Sequence, residues 1–297
     1  ASTISSYLNN LPGGSFAAIA HHPYQGSVND VGHVTGSLSG LRAAYPSSTI
    51  YMTEFFGDDS YGPGVPDWMM HGLPMHNIFT IEQANTYLMW GLSLSPTSGS
   101  YCALGQYSKF INPGDWRSAV TTTDANVAVS LFRHTVAAGL PEQLVLVMIN
   151  KSASYSYQTI QTSAHWSADP ARRAWKVYKT ADDGSTQQRI TLTEDLSGAF
   201  LTGNRNLVLA PYSITTILIN SDAPLTHQEA WRQQYFGAAA NLGNAADSFD
   251  SNNDGENNLY EFATNQDPSA NTRVTPTMLQ NGVNLEFTYT RSKAAVL

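Results

Sequence analysis

The stretch "STIYMTEFFGDD" (48–59) decides how the fold is read. It begins as an apolar strand and ends on Glu54, followed by Phe55 and Phe56. A charge at the end of a buried strand is costly unless something uses it. Two further segments share the design. "SFAAIAHHPY" (15–24) ends near His22 and Tyr24, and "NTYLMWGLS" (85–93) carries Trp90. Between these strands, "VTGSLSGLRAAY" (34–45) and "VPDWMMHGLPMHNIFTIEQ" (65–83) read as helices, the second broken at Pro74, and "GSYCALGQYSKFI" (99–111) reads as a third. Strands alternating with helices predict a parallel α/β arrangement. In parallel barrels the functional groups gather at the carboxyl ends of the strands, which is where Glu54, His22, Tyr24 and Trp90 fall. Three units do not close an eight-stranded barrel, so residues 1–118 read as part of a (β/α)8 barrel.

From about residue 119 the pattern changes to period two with no helices between the runs. "VAVSLFRHT" (127–135), "QLVLVMINKS" (143–152), "RAWKVYKT" (173–180), "QRITLTEDL" (188–196) and "NLVLAPYSITTILIN" (206–220) predict an antiparallel β-sandwich over 119–221. Turn signals at Asp183-Gly184 and Gly203-Asn204 separate its strands. Residues 222–297 begin as a linker in which Thr226 and Glu229 are spaced as a capping box that opens a helix. The tail "VNLEFTYTRSKAAVL" (283–297) reads as the start of another strand-rich segment.

Composition narrows the partners. The 15 Lys and Arg against 23 Asp and Glu give a net charge of -8, which disfavours a nucleic-acid partner. Low charge (13%) with 11% aromatics suits a protein that handles polar, uncharged ligands. Cys102 is the only cysteine, so an intrachain disulfide or thiolate metal cluster is excluded. No apolar run approaches the roughly 20 residues needed to span a bilayer. "ASTISSYLNN" (1–10) has no basic region leading into an apolar core, which suggests that a leader was removed or lies upstream.

"DSNNDGENNLYE" (250–261) matches the pattern D-x-[DN]-x-[DN]-G-x5-E at every defined position. Asp250, Asn252 and Asp254 offer side-chain oxygens, Glu256 its carbonyl, Asn258 a direct or water-mediated contact, and Glu261 two oxygens, the hard oxygen set that Ca2+ prefers. Two Asn in place of Asp point to a structural Ca2+ site saturated outside the cell rather than to a sensor. The competing reading is an Asn/Asp-rich surface loop that binds nothing.

The blocks "IYMTEFFG" (50–57), "NTYLMWGL" (85–92) and "LGQYSKFINPGDWR" (104–117), followed by "QLVLVMINKS" (143–152), resemble the C-terminal half of glycoside hydrolase family 30, near its xylanase branch, over about residues 1–220. Residues 230–268 resemble dockerin-like or thrombospondin type 3-like calcium modules of secreted bacterial proteins. The first resemblance makes 18–26, 48–54 and 86–92 barrel strands six to eight. It implies a secreted or cell-surface retaining β-glycosidase acting on xylan or a related β-linked polysaccharide without a catalytic cofactor. Glu54 matches the nucleophile, with His22, Tyr24 and Trp90 around the sugar and Phe55, Tyr61, Trp68 and Tyr101 as further aromatic platforms. The family's general acid follows strand four, upstream of residue 1, and Glu82, Glu142, Glu194 and Glu229 lack the context to replace it. The loop 91–100 also lacks the Arg that reads a glucuronic acid branch in part of the family. Alternatives are a rim salt bridge for Glu54, core packing for His22, Tyr24 and Trp90, and a glucoside substrate. A different class is a non-catalytic carbohydrate-binding or attachment module using Trp166 and Trp175.

Overall fold

A computed structural model of the chain describes residues 8, 10–11, 15–22, 31–55, 64–91, 95–134, 142–182, 189–221, 225–237, 239–274 and 276–293. Strands β1 (Ala18–His21), β2 (Thr49–Phe55) and β3 (Thr86–Met89) form a parallel sheet in the order β1-β2-β3. Helices α1 (Val31–Ala44), α2 (Asp67–Asn77) and α3 (Gly99–Ser108) follow the three strands in turn. Ile19, Ile50, Met52, Phe55 and Tyr87 are buried on one face of this sheet, in a cluster with Leu38 and Leu41 of α1 and Trp68, Met69 and Leu73 of α2. The other face, bearing Ala20, Tyr51 and Leu88, is open.

Helix α2 runs through Pro74 without a break and passes directly into a π turn, Ile78–Glu82. A proline removes one intrahelical hydrogen bond. Here the helix is buried around nearly its whole circumference, and that packing holds it intact. Trp68 is fully buried and its indole donates to the Tyr212 carbonyl (2.8 Å), so it is a tie to the β domain rather than a sugar platform. Gly72 makes the close approach possible, since a Cβ there would collide with Ile214 Cδ1.

The second layer is a six-stranded antiparallel sheet, β4-β5-β6-β11-β8-β9. It comprises β4 (Trp116–Ser118), β5 (Val127–His134), β6 (Gln143–Asn150), β8 (Ala174–Thr180), β9 (Thr191–Ser197) and β11 (Ile214–Ile219). A two-stranded sheet of β7 (Ser156–Ile160) and β10 (Arg205–Leu209) completes this domain. The predicted strand 206–220 is therefore two strands, parted at Pro211-Tyr212, where Tyr212 has φ 44°. Every residue of β6 is buried. Val145, Val147 and Ile149 face the helices, and Leu144, Leu146 and Met148 face the second core with Trp175, Leu209 and Ile217. The sheet is thus a middle layer covered on both sides. Gln106 of α3 fixes the contact, donating to Thr180 Oγ1 (2.8 Å) and accepting from Thr216 Oγ1 at its carbonyl (2.6 Å).

Helix α4 (His227–Phe236) begins with the expected capping box between Thr226 and Glu229 and ends on Gly237 at φ 69°. Its Trp231 packs edge-on against Phe262 of α5 (Asn258–Thr264), the helix that leaves the acidic loop. A hairpin of β12 (Thr277–Asn281) and β13 (Asn284–Thr288) follows, with every residue exposed. Among the described residues, no helix is long and apolar enough to cross a membrane.

Candidate active site

Glu54 owes its direction to an irregularity that sequence cannot reveal. Met52 pairs with Tyr87 and Phe55 with Met89, so Thr53 and Glu54 together oppose the single residue Leu88. Such a β-bulge reverses the alternation of side chains and re-aims them. Met52 and Phe55 both stay in the core although three positions apart, and the bulge turns Glu54 toward the open face that carries Leu88. Thr53 Oγ1 donates to the His21 carbonyl (3.4 Å), tying the bulge to β1.

His22, next to buried His21, reaches the same region. Its Nδ1 lies 3.9 Å from Glu54 Oε1, and both side chains are partly exposed, at 46% and 30%. The Trp90 amide donates to the Phe55 carbonyl (3.0 Å), which carries β3 alongside the end of β2 and leaves the Trp90 ring 61% exposed. Glu54 and His22 thus lie close together, and Trp90 follows the carboxyl end of the adjacent parallel strand. Phe55 does not join them. It is 1% exposed and packs edge-on against Tyr87, so it has no face left for a ligand. Tyr24 and Tyr61 lie outside the described residues.

The chain is structurally similar to glycoside hydrolases. It matches a family 30 endoxylanase from Clostridium papyrosolvens at TM-score 0.48 and 20% identity, covering 69% of this chain and 49% of that one. A family 30 subfamily 8 xylanase from Clostridium acetobutylicum matches at 0.46 and 21%, with the same two coverages. A family 44 xyloglucanase from Paenibacillus polymyxa matches at 0.42 and 17%, covering 64% and 35%. The chain therefore spans about half the length of the two xylanases. No protein-family model matches the sequence, and neither does any curated protein.

On the helix side of β1, His21 Nε2 lies 2.6 Å from Glu82 Oε1, with both side chains essentially buried. Arg42 holds this corner, donating to the carbonyls of Glu82 (2.7 Å), Gln83 (3.1 Å) and Ser48 (3.0 Å). Nothing in the sequence pairs His21 with a residue 61 positions away. The other glutamates are also committed: Glu142 to Arg133 (2.9 Å), Glu194 to Arg205 (3.2 Å) and the Trp175 indole, and Glu229 to Arg172 (2.8 Å). Trp175 is wholly buried, and Trp166 donates its indole N–H to the Gly203 carbonyl (2.8 Å). Trp175 therefore has no face left for a ligand.

The acidic loop is a tight turn closed by its own side chains. Asp250 accepts from the amides of Asp254 (3.3 Å) and Gly255 (2.9 Å), and Gly255 sits at φ 91°. Asn252 Nδ2 lies between Asp254 Oδ2 (3.2 Å), Glu261 Oε1 (3.0 Å) and the Ala270 carbonyl (2.7 Å). Among the described residues, no three His, Cys, Asp or Glu side chains are gathered into a metal cage. Glu261 is fully buried and its Oε2 has no hydrogen-bond partner. Burial, with Asp254, Asp250 and Glu256 adding repulsion, pushes its pKa up to about 7. Glu256 turns its carboxylate to Gln266 Nε2 (2.6 Å), leaving its carbonyl for the loop. Asn258 also staples the loop, its amide accepting from Ser251 and donating to the carbonyls of Asn244 and Ala246 (each 2.8 Å).

Proposed function

We propose that residues 1–118 are the last three strand–helix units of a (β/α)8 retaining glycosidase that cleaves xylan or a related β-linked polysaccharide outside the cell, with Glu54 as its nucleophile. The observation that carries this reading is the bulge that turns Glu54 onto the open sheet face, beside His22 and at the strand ends. Parallel sheets are normally covered on both faces, so an open face bearing Tyr51 and Leu88 calls for the rest of a barrel. In a retaining mechanism Glu54 attacks the anomeric carbon while a second carboxyl, about 5–5.5 Å away, protonates the departing oxygen. That second group comes from an earlier strand, outside residues 1–297. It then acts as base on the water that releases the sugar. The imidazole of His22 stands 3.9 Å from Glu54 Oε1, beside the attacking carboxylate. Trp90 offers a ring face to the apolar side of a pyranose.

The test is xylan hydrolysis by a polypeptide carrying all eight units, followed by NMR of the first-formed anomer. Retained configuration is expected, and inverted product would refute the mechanism. Residues 1–297 alone are expected to release no reducing sugar, and measurable hydrolysis by them would refute the assignment of the acid to an upstream strand.

The acidic loop is a structural Ca2+ site in this reading. Asp250, Asn252, Asp254, the Glu256 carbonyl and Glu261 form the oxygen set, and the unpartnered Glu261 Oε2 is the group a cation would satisfy. Calcium in hundredfold excess over its Kd is expected to stabilise the protein by about 2.7 kcal/mol, seen as a higher Tm that chelation reverses. Glu261→Gln should remove the calcium response. A Tm indifferent to calcium in the unaltered protein would leave the loop as a hydrogen-bonded turn.

A further inference from the structure

We infer that the outer face of the β7–β10 ribbon is a binding surface for an uncharged polysaccharide chain, separate from the Glu54 face. The sequence draws attention to tryptophans in this domain, but the exposed aromatics on this ribbon are tyrosines. Tyr157 is 79% exposed and Tyr155 55%. Burial alternates along β7, so Tyr155, Tyr157, Thr159 and Gln161 all point outward, and on β10 Asn206 and Val208 do the same. Val208 is paired with Tyr157, and Asn206 with Thr159.

The polar half of this strip is organised before any ligand arrives. Thr159 Oγ1 donates to Asn206 Oδ1 (2.9 Å), Asn204 Nδ2 donates to Gln161 Oε1 (3.0 Å), and the Ser163 amide donates to Asn204 Oδ1 (3.2 Å). These bonds orient the Asn206 and Gln161 amide groups farther along the face that carries the two rings. The ribbon is fixed from beneath as well, where Ser156 Oγ (2.7 Å) and Gln158 Nε2 (3.2 Å) both donate to Asp124.

Chemistry and size together select the occupant. The strip has no Lys, Arg, Asp or Glu among its outward residues, which offers nothing to an anionic polymer or a charged peptide. Tyrosine gives a flat apolar surface with a hydroxyl at its edge and only two side-chain torsions to immobilise. Amides supply both donors and acceptors, as sugar hydroxyls require. From Tyr155 to Gln161 the strip is about 20 Å long and only two strands, some 5 Å apart, wide. That gives an area of about 200 Å², well short of the roughly 800 Å² per partner in a stable protein interface, whereas a single extended glycan chain needs no more than such a track. The choice of a β-linked glycan as probe rests on the proposed function, but the surface itself does not depend on hydrolysis.

Native affinity electrophoresis of the 297-residue chain in gels containing neutral xylan or hydroxyethylcellulose tests the inference. Retardation is expected in at least one of the two. Tyr157→Ala should weaken it at least tenfold, and the Tyr155→Ala/Tyr157→Ala pair should abolish it. Both tyrosines are exposed, and unchanged circular dichroism and Tm would confirm that the variants fold. Absence of retardation, retardation insensitive to the tyrosines, or retardation only by anionic polygalacturonate would overturn the inference. So would a concentration-dependent dimer that Tyr157→Ala dissolves without any glycan effect. Hydrolysis by the eight-unit polypeptide with no tyrosine effect here would sink this inference alone. Tyrosine-dependent retardation without hydrolysis there would sink only the glycosidase reading.

Discussion

Glu54→Gln, placed in a polypeptide with all eight barrel units, is expected to lower kcat on xylan by about four orders of magnitude or more while KM changes by no more than a few fold. Removing a group that acts only in the transition state has this signature. A factor of 10⁴ corresponds to about 5.4 kcal/mol at 1.36 kcal/mol per tenfold. The amide keeps the shape of the side chain, so bulge, strand end and binding surface all survive. What is lost is the electron pair that attacks the anomeric carbon. His22→Ala should cost far less, because its ring lies 3.9 Å away in a partly exposed setting where ion pairs contribute about 0–1 kcal/mol. Glu54→Ala with added azide provides a sharper check, since a small anion occupying the vacated space should restore turnover and give a glycosyl azide of inverted configuration. Full activity in Glu54→Gln, or equal losses in Glu54→Gln and His22→Ala, would mean that this carboxylate is a rim group and the nucleophile lies elsewhere.

Why the sequence reveals Glu54 but not its setting follows from which physical signals are local. Apolar alternation over 48–55 is a property of one strand, and so is the charge that interrupts it. The bulge is a relation between two strands, visible only when Thr53 and Glu54 are both found opposite Leu88. Phe55 and Trp68 sit beside loops in the sequence, which suggests exposure, yet the same bulge and the burial of α2 between two sheets put both in the core. Strand β7 escapes notice because two of its three inward positions are Ser156 and Gln158, held by Asp124 instead of by apolar contact. Strand β6 is easily seen as a strand, but burial on both faces depends on the helices that cover it from another part of the chain. The acidic loop is the opposite case, a compact motif whose turn, glycine and carboxylates lie within 12 residues. Even there the sequence does not show that the Asn258 amide also ties the loop to the carbonyls at 244 and 246.

Arg172→Ala is expected to destabilise the protein by about 3–5 kcal/mol, the usual cost of stripping one partner from a buried ion pair. Arg172 Nε and one Nη reach the two oxygens of Glu229 at 2.8 Å each, and both side chains are nearly buried. Glu229 has a second duty, accepting from the Thr226 amide (2.8 Å) in the capping box of α4. One carboxylate therefore both starts the helix and fastens it to the β domain through the turn before β8. Burial alone would raise the pKa of Glu229, but the Arg172 hydrogen bonds, the Thr226 amide and the Arg172 charge outweigh it and hold the carboxyl below its ordinary value. A lowered folded-state pKa means that the stabilisation is fully present above the unfolded value of about 4.3 and is lost as pH falls through the folded one. Chemical denaturation from pH 7 downward should show this acid-dependent loss in the unaltered protein and a shallower one in Arg172→Ala. The double variant Arg172→Leu/Glu229→Leu separates the two duties. Apolar replacement of a buried pair is often close to neutral, so its remaining deficit should be about 1 kcal/mol, the value of the lost cap. If Arg172→Ala and the double variant were equally destabilised, the loss would not come from leaving Glu229 buried without its partner.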